Sequence, residues 1–555
     1  MSNFIRLKSG RIYDPVNGVD GEVRDIFVRD GQIVNTPIDI DPAMTTYDLD
    51  GAVVMGGGID IHTHIGGGKV NIARTMLPED HDADPVNRGQ HPHAGCGHAA
   101  PSTYTAGYRY AEMGYVACFE PAMLASNARQ AHLEMADTPM VDKGAYVVLG
   151  NDDFFLRALR AKKDQQYIED YVAWTLKAAQ ALAIKVVNPG GINAFKFNQR
   201  ALDLDEKHNH YGITPREVLL SLSAAVKNLG VAHPLHIHGC NLGVPGNLST
   251  TLETARALDG LPAHLTHVQF HAYGTEGDYK FSSGAAEIAE VVNRNPNLSM
   301  DVGQIMFGQT VTESGDTMRQ FEGAAFAHPK KWVGMDIECD AGCGVVPFRY
   351  RDKNFVNALQ WAIGLELFLL IDDPWRIFLT TDHPNGAPFT SYPHLIRLLM
   401  DRSFRNDMLS TIHPDAAAAS RLGSIDREYS LYEIATMTRA APARSLGLQD
   451  YGSLGVGARA NITVYNDHAN RERMFAKPRL VFKEGELIVE NGKVCQTVWG
   501  TTHMSDASYD NAISKDLDAY FDRYMTMKKE HFAVHDDEFH SDERGSLTRH
   551  EVKRE

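Results

Sequence analysis

The stretch "VVMGGGIDIHTHIGGGK", Val53 to Lys69, sets an apolar run against a glycine turn and then places His62 and His64 two residues apart with glycines on both sides. Along an extended strand, residues two apart point to the same face, so both imidazoles face one way at the end of a hydrophobic strand. An imidazole removed from water with no partner is costly. Two neutral imidazoles held side by side in a poorly hydrated site are good zinc ligands. The competing reading is a pair of hydrogen-bonded structural histidines, and the HxH spacing alone does not separate the two.

Other strand ends weigh on the choice. "AIKVVNPGG" embeds Lys185 in an apolar strand, where an ammonium is expensive and is driven toward its uncharged, nucleophilic form. "LHIHGCNLG" closes a strand with His236 and His238, "HLTHVQFH" carries His267 and His271, and "WRIFLTTDHPNG" ends a buried strand at Asp382. His236 and His238 share a strand face, so periodicity leaves both open. His271, four residues beyond His267, is a candidate substrate contact past the strand end. Zinc-compatible side chains at several independent strand ends, in the order HxH, Lys, His, His, Asp, form a pattern that packing alone does not require.

Around these residues the chain alternates helix and strand. In "ITPREVLLSLSAAVKNLGVAHPLHIHG", Thr214 caps a helix, Pro215 fits its first turn, Glu217 completes a capping box and Gly230 stops it before the next strand. "LSTTLETARALDG" followed by "HLTHVQFHAYG" repeats the unit, as does "DYVAWTLKAAQALAIKVVNPGG". Repeated βα units with polar residues at the strands' C-terminal ends predict an α/β fold, a (β/α)8 TIM-type barrel whose chemistry sits on that face. A doubly wound sheet would leave so many functionalised strand ends unexplained. Residues 53–429 are assigned to the barrel.

The two ends of the chain follow a different grammar. The first fifty residues show short alternating strands with Asn17-Gly18, Asp20-Gly21 and Asp30-Gly31 as turns, and residues 454–500 repeat that pattern with a turn at Asn491-Gly492. Residues 1–52 and 430–500 are therefore expected to pair as a small composite β-sandwich domain. Residues 501–555 read as a charged helical tail, in contact with solvent or with a neighbouring protein of an assembly.

Composition bounds the function. The 555 residues, 43% hydrophobic and 23% charged, suit a soluble enzyme, and a formal net charge of −17 argues against nucleic acid as the main partner. The N-terminus lacks a signal peptide's apolar core, and the longest apolar run, "WAIGLELFLLI", is too short to span a bilayer and contains Glu366, so a cytoplasmic protein is expected. Six scattered cysteines fit free thiols. Cys339 and Cys343 have loose metal spacing without a second pair. The loop with His81, His91, His93 and His98 reads as an active-site lid or as plain surface.

"GGGIDIHTH" resembles the first-strand motif of the amidohydrolase superfamily, and the later Lys, His, His and Asp resemble its remaining ligands. More narrowly, "IDIHTHIGGGKVNIARTMLPEDH", "IKVVNPGGINAF" and "TTDHPNGAPFTSYPHLIRLLMDR" resemble the alpha subunits of formylmethanofuran dehydrogenases and of the bacterial formyltransferase/hydrolase complex. The resemblance implies two zinc ions bridged by a carboxylated Lys185. His62 and His64 would bind the first, His238 and His267 the second, and Asp382 would touch a metal and serve as catalytic acid/base. "HGCN" favours His238 over His236, because it resembles the family's His-small-x-Asn ending. The implied reaction is hydrolysis of an N-formyl amide on a methanofuran-type carrier to formate and the free amine, within a multisubunit complex. Lys69, Arg74, Asn188, Lys196 and Arg200 are the candidate contacts to the carrier and its acidic tail. A cyclic-amide hydrolase of the dihydroorotase or hydantoinase type would share the ligands, and a non-catalytic scaffold would not need them.

Overall fold

Eight parallel strands follow one another in chain order: Gly58–Asp60, Tyr115–Leu124, Asp142–Leu149, Ala183–Val187, Leu235–His238, Ala263–Leu265, Leu298–Asp301 and Ile377–Phe378. Each pairs with the next. The ring closes where Thr63, just past the first strand, bridges in parallel to His383, just past the eighth, with His64 N donating to His383 O at 2.8 Å. Helices such as Ala128–Ala136, Gln165–Ala178, Pro215–Leu229 and Phe355–Leu370 return the chain between strands. The computed structural model describes residues 4–38, 44–83, 97–197, 199, 202–312, 337–339, 343–539 and 545–554.

Local signals explain where these elements begin and end. The helix Pro215–Leu229 has the capping box of Thr214 and Glu217 and a left-handed Gly230 after its last turn. The glycines before His62 serve close approach: a Cβ at Gly57 would lie 2.4 Å from Val116, and one at Gly58 would lie 2.7 Å from the Tyr115 ring. Only bare backbone lets the first strand sit this near the second. Glu366, the charge inside the longest apolar run, is buried in the helix Phe355–Leu370 and accepts from Ser283 Oγ and Arg421 N. No helix among the described residues is long and apolar enough to cross a membrane.

The chain ends meet in a nine-stranded mixed sheet, where Val53–Gly56 runs antiparallel to Ile462–Tyr465. It encloses its own apolar core of Ile5, Leu7, Ile12, Ile26, Val54, Ile462, Val464 and Phe482. Asp30-Gly31 and Asn491-Gly492 are hairpin turns with all four residues at positive φ. Asp20-Gly21 is not a turn: it lies inside the strand Val19–Arg29, where Ile12 faces Glu22 and Tyr13 faces Asp20, so Gly21 is the extra residue of a bulge.

The tail also departs from its helical reading. Thr501–Ala507 is a strand whose Thr502 and His503 pair in parallel with Lys143 and Gly144 at the start of the third barrel strand, and Ser546–Val552 pairs alongside it. Thr501–Ala507 is buried at all but one position, whereas Ser546–Val552 beyond it is only partly covered, and the pairing of both is carried by backbone. The helices Ile513–Tyr524 and Lys529–Phe532 lie between these two strands.

Candidate active site

The barrel's C-terminal mouth gathers most of the residues singled out in the sequence. His62 and His64 lie side by side with ring centroids 5.7 Å apart and planes near perpendicular. His62 Nε2 is 2.8 Å from Asp382 Oδ1, and His64 Nε2 is 3.4 Å from the same oxygen. His64 is aimed by Glu120, whose Oε1 meets His64 Nδ1 at 2.9 Å while Oε2 accepts from Ile65 N and Gly66 N. An Nδ1–H donated to that carboxylate leaves the Nε2 lone pair facing the mouth.

Sharp turns after the strands bring the other ligands in. Asn188, His267 and Asp382 all have positive φ, 43°, 37° and 52°, in the turns that follow their strands. His267 can adopt this backbone because Gly303 faces it: a Cβ there would lie 2.4 Å from His267 Cβ. His238, His267 and His271 have ring nitrogens within 4.8 Å of one another, and so do one atom each of His62, His267 and Asp382. His238 and His267 thus meet as expected, and His271 joins them as a third member. His236 does not point to this cluster. Its ring sits deeper, with Nε2 2.9 Å from His62 Nδ1 and Nδ1 3.0 Å from His233 Nε2, so both nitrogens are engaged.

The electrostatics suit a cation. Burial opposes ionisation of Asp382, but His62 and His267 outweigh it and hold the carboxyl well below the usual range. Burial keeps the His267 imidazole neutral, despite Asp382 nearby. Lys185, 2% exposed, is pulled down to about 8 by burial, partly offset by Asp382. Neutral imidazoles, an ionised carboxylate and an amine poised near neutrality form an N/O donor set of the kind that holds zinc. One buried atom also asks for a partner: His267 Nδ1 has none among the described residues.

The expected carrier contacts divide. Asn188 is buried and its N donates to His238 O at 2.9 Å, tying the fourth strand's exit to the fifth. Lys69, half-buried on the short helix Gly68–Arg74, lies near enough to Lys185 to help depress it. Arg74 is committed elsewhere: it donates to Ile65 O at 2.8 Å and Pro101 O at 3.0 Å and pairs with Glu134, bracing the loop behind His64. Lys196 belongs to the helix Gly191–Lys196, but its side chain, Arg200, the side chains of His81, Cys339 and Cys343, and His91 and His93 lie outside the described residues. His98 is at the surface, its N held by Asp80.

Two acidic residues escaped the sequence reading. Glu120 closes the apolar run "YVACFE" inside the second strand, just before its register shift, and Asp301 ends the seventh strand in "LSMD". Asp301 accepts from His267 N and Thr380 Oγ1 on one oxygen, and from Thr266 Oγ1 and His264 on the other. The signal was the one that exposed Asp382, an apolar run closing in a carboxylate.

A closed eight-stranded barrel, joined to a sheet built from both chain ends, thus gathers at its mouth histidines and a carboxylate that could hold a metal ion. The amidohydrolase family matches residues 45–489, and the chain belongs to it. Across nearly their full lengths, the chain is 42% identical to the alpha (A) component of the formyltransferase/hydrolase complex Fhc of Methylorubrum extorquens, over 96% of this chain and 97% of that protein. It is 40% identical to protein FwdA of Methanocaldococcus jannaschii, with 96% of each covered. A crystal structure of the Methylorubrum extorquens complex FhcABCD with methylofuran superposes with a TM-score of 0.92 and 41% identity, over 99% of this chain and 100% of that one. The chain is a hydrolytic enzyme of the amidohydrolase type.

Proposed function

We propose that this enzyme hydrolyses the N-formyl group of a methanofuran-type carrier to formate and the free amine, as the alpha subunit of a formyltransferase/hydrolase complex in the cytoplasm. The observation that carries the reading is the convergence of His62 Nε2 and His64 Nε2 on one Asp382 oxygen, beside the His238, His267 and His271 cluster. The carrier and the partner proteins come from the relatives: the Methylorubrum extorquens protein belongs to such a complex, whose crystal structure holds methylofuran.

His62, His64, Lys185 and Asp382 would hold one zinc ion, and His238 and His267 a second. When bound, such ions polarise a carbonyl and acidify water. Lys185, lowered to about 8 by burial, would be uncharged in part at neutral pH, so its Nζ could add carbon dioxide with loss of a proton and serve both ions as a carbamate. The protein's own part in the reaction falls to Asp382. Held ionised, it accepts a proton from the attacking water as the water oxygen bonds to the formyl carbon. As the C–N bond breaks, Asp382 returns that proton to the leaving nitrogen, and the remaining water proton leaves the formic acid for solvent or the amine, giving formate. Glu120 keeps His64 oriented throughout. Lys69, with Lys196 and Arg200, is proposed to meet the carrier's acidic tail, while Arg74 supports the loop that carries Lys69.

The test combines zinc content with formate release from an N-formyl furfurylamine substrate. Two zinc ions per chain and formate release that disappears in His62→Ala are expected. Turnover of hydantoin or dihydroorotate with no action on the formyl amide would sink the formyl reading, and retained formate release by metal-stripped His62→Ala would sink the mechanism.

A further inference from the structure

Below its mouth this barrel is filled in an unusual way. Barrel interiors are ordinarily packed with branched aliphatic side chains, yet here His62, His233, His236 and His264 stand buried around the axis at no more than 1% exposure. Three of the rings are joined end to end. His62 Nδ1 lies 2.9 Å from His236 Nε2, His236 Nδ1 lies 3.0 Å from His233 Nε2, and His233 Nδ1 lies 3.0 Å from Ser445 Oγ. Tyr146 stacks on His233 and His264 stacks on His236, so the column is also fixed sideways.

A neutral imidazole has one N–H and one lone pair, so such a chain has two polarities. Either every ring carries its proton on Nδ1 and donates away from the mouth, or every ring carries it on Nε2 and donates toward it. The column by itself does not choose. Thr266 does, because its Oγ1 contacts His62 Nδ1 and also donates to Asp301 Oδ2 at 2.7 Å. Asp301 accepts at both oxygens, from His267 N and Thr380 Oγ1 on one and from Thr266 Oγ1 and His264 Nε2 on the other. Donating its only proton to the Asp301 carboxylate gives Thr266 a charge-assisted bond, the stronger of its two choices, so the hydroxyl presents a lone pair to His62, whose Nδ1–H is shared between Thr266 Oγ1 and His236 Nε2.

We infer that Thr266, anchored by Asp301, and the column His236, His233 and Ser445 act together as a positioning device that fixes His62 in the Nδ1–H tautomer and turns its Nε2 lone pair toward the mouth. The tautomer follows from the hydrogen bonds and the charge of Asp301. Its consequence, tighter metal binding, rests on the metal site proposed above. None of these residues touches the substrate; they act through His62.

The experiment uses the full chain, labelled with 15N-histidine and stripped of metal, with His62 assigned by the signal lost in His62→Gln. Long-range proton–nitrogen spectra are expected to show His62 as a single Nδ1–H species. Thr266→Val removes the hydroxyl at nearly constant volume and should leave His62 in mixed tautomers and weaken zinc binding about 10- to 100-fold. Thr266→Ser should restore both. Melting temperatures establish that each variant is folded, and His233→Phe, which breaks the column at its second link, gives an independent cut with the same expected direction. An Nε2–H tautomer in the parent protein overturns the inference, as does unchanged tautomer and zinc affinity in both folded variants. A parent that shows Nδ1–H in its metal-free form yet binds no zinc supports the positioning device and removes the metal site instead.

Discussion

The two ends of the barrel both bury charge, and they do so in opposite ways. At the lower end, Asp142 opens the third strand and has every oxygen occupied: Lys483 from the composite sheet and Tyr451 OH reach one, and Thr501 N from the tail strand reaches the other. Burial opposes the ionised form, but Lys483 outweighs it and the carboxyl is held low. At the upper end, His62 Nε2, His64 Nε2 and Asn385 Nδ2 crowd one oxygen of Asp382, while His267 Nδ1 nearby has no hydrogen-bond partner among the described residues. The lesson concerns saturation. A buried ion whose valences are filled by the chain ties segments together, and a cluster with valences left over is built to receive something else.

The sharpest way to break this contrast is to alter one carboxylate at the mouth. Asp382→Asn should fold normally and lose formate release by roughly a thousandfold, the middle of the range for removal of a general acid/base. If more than a tenth of the activity survives, the mouth is no more chemical than the base. The matching change below is Lys483→Met, which strands Asp142 in a site with both partners otherwise buried. It should cost about 3–5 kcal/mol in urea unfolding, with the folded fraction still turning over normally. A small cost would mean that the lower cluster does not hold the sheet, barrel and tail together.

Lys143 sharpens the comparison through pH. Burial, partly offset by Asp142, brings its ammonium from 10.5 down to about 8, with Nζ donating to Thr138 O. Between those two values the unfolded chain binds more protons than the native one, so stability should rise as pH climbs through that window, by roughly 3 kcal/mol in all. Lys143→Met should remove this rise, measured as the difference between the two proteins at each pH. The gentlest test is metal removal: zinc at a hundredfold excess over its dissociation constant should stabilise the protein by about 2.7 kcal/mol, and chelation should reverse that gain. His267→Ala should show little of either change, and a full zinc effect in that variant would detach His267 from the site.

Much of this was legible in the chain because it rests on local chemistry. The capping box at Thr214 and Glu217, the Asn491-Gly492 turn and the helix-to-strand rhythm have short-range causes, and their elements lie where the rhythm put them. His62, His64, His238, His267 and Asp382 were visible as polar residues ending apolar runs. Asp20-Gly21 misled because a bulge and a turn ask for the same residue types, and only the register with Tyr13 separates them. The tail strand "TTHMSDA" was hidden because it is buried on both faces and paired on both sides, so its polar residues show no apolar alternation.

The sequence by itself determined the barrel, the contribution of both ends to one sheet, and the residues that ring the mouth, since periodicity and strand-end chemistry are written locally. It left His236 and His238 on one strand face with nothing in the periodicity to separate them. The tertiary structure decided that His238 joins the mouth while His236 turns down the axis, that Arg74 braces a loop, and that Glu120 and Asp301 orient the histidines. Those roles depend on which atoms of distant strands lie within hydrogen-bond reach, and that distance is fixed only when the eight strands close.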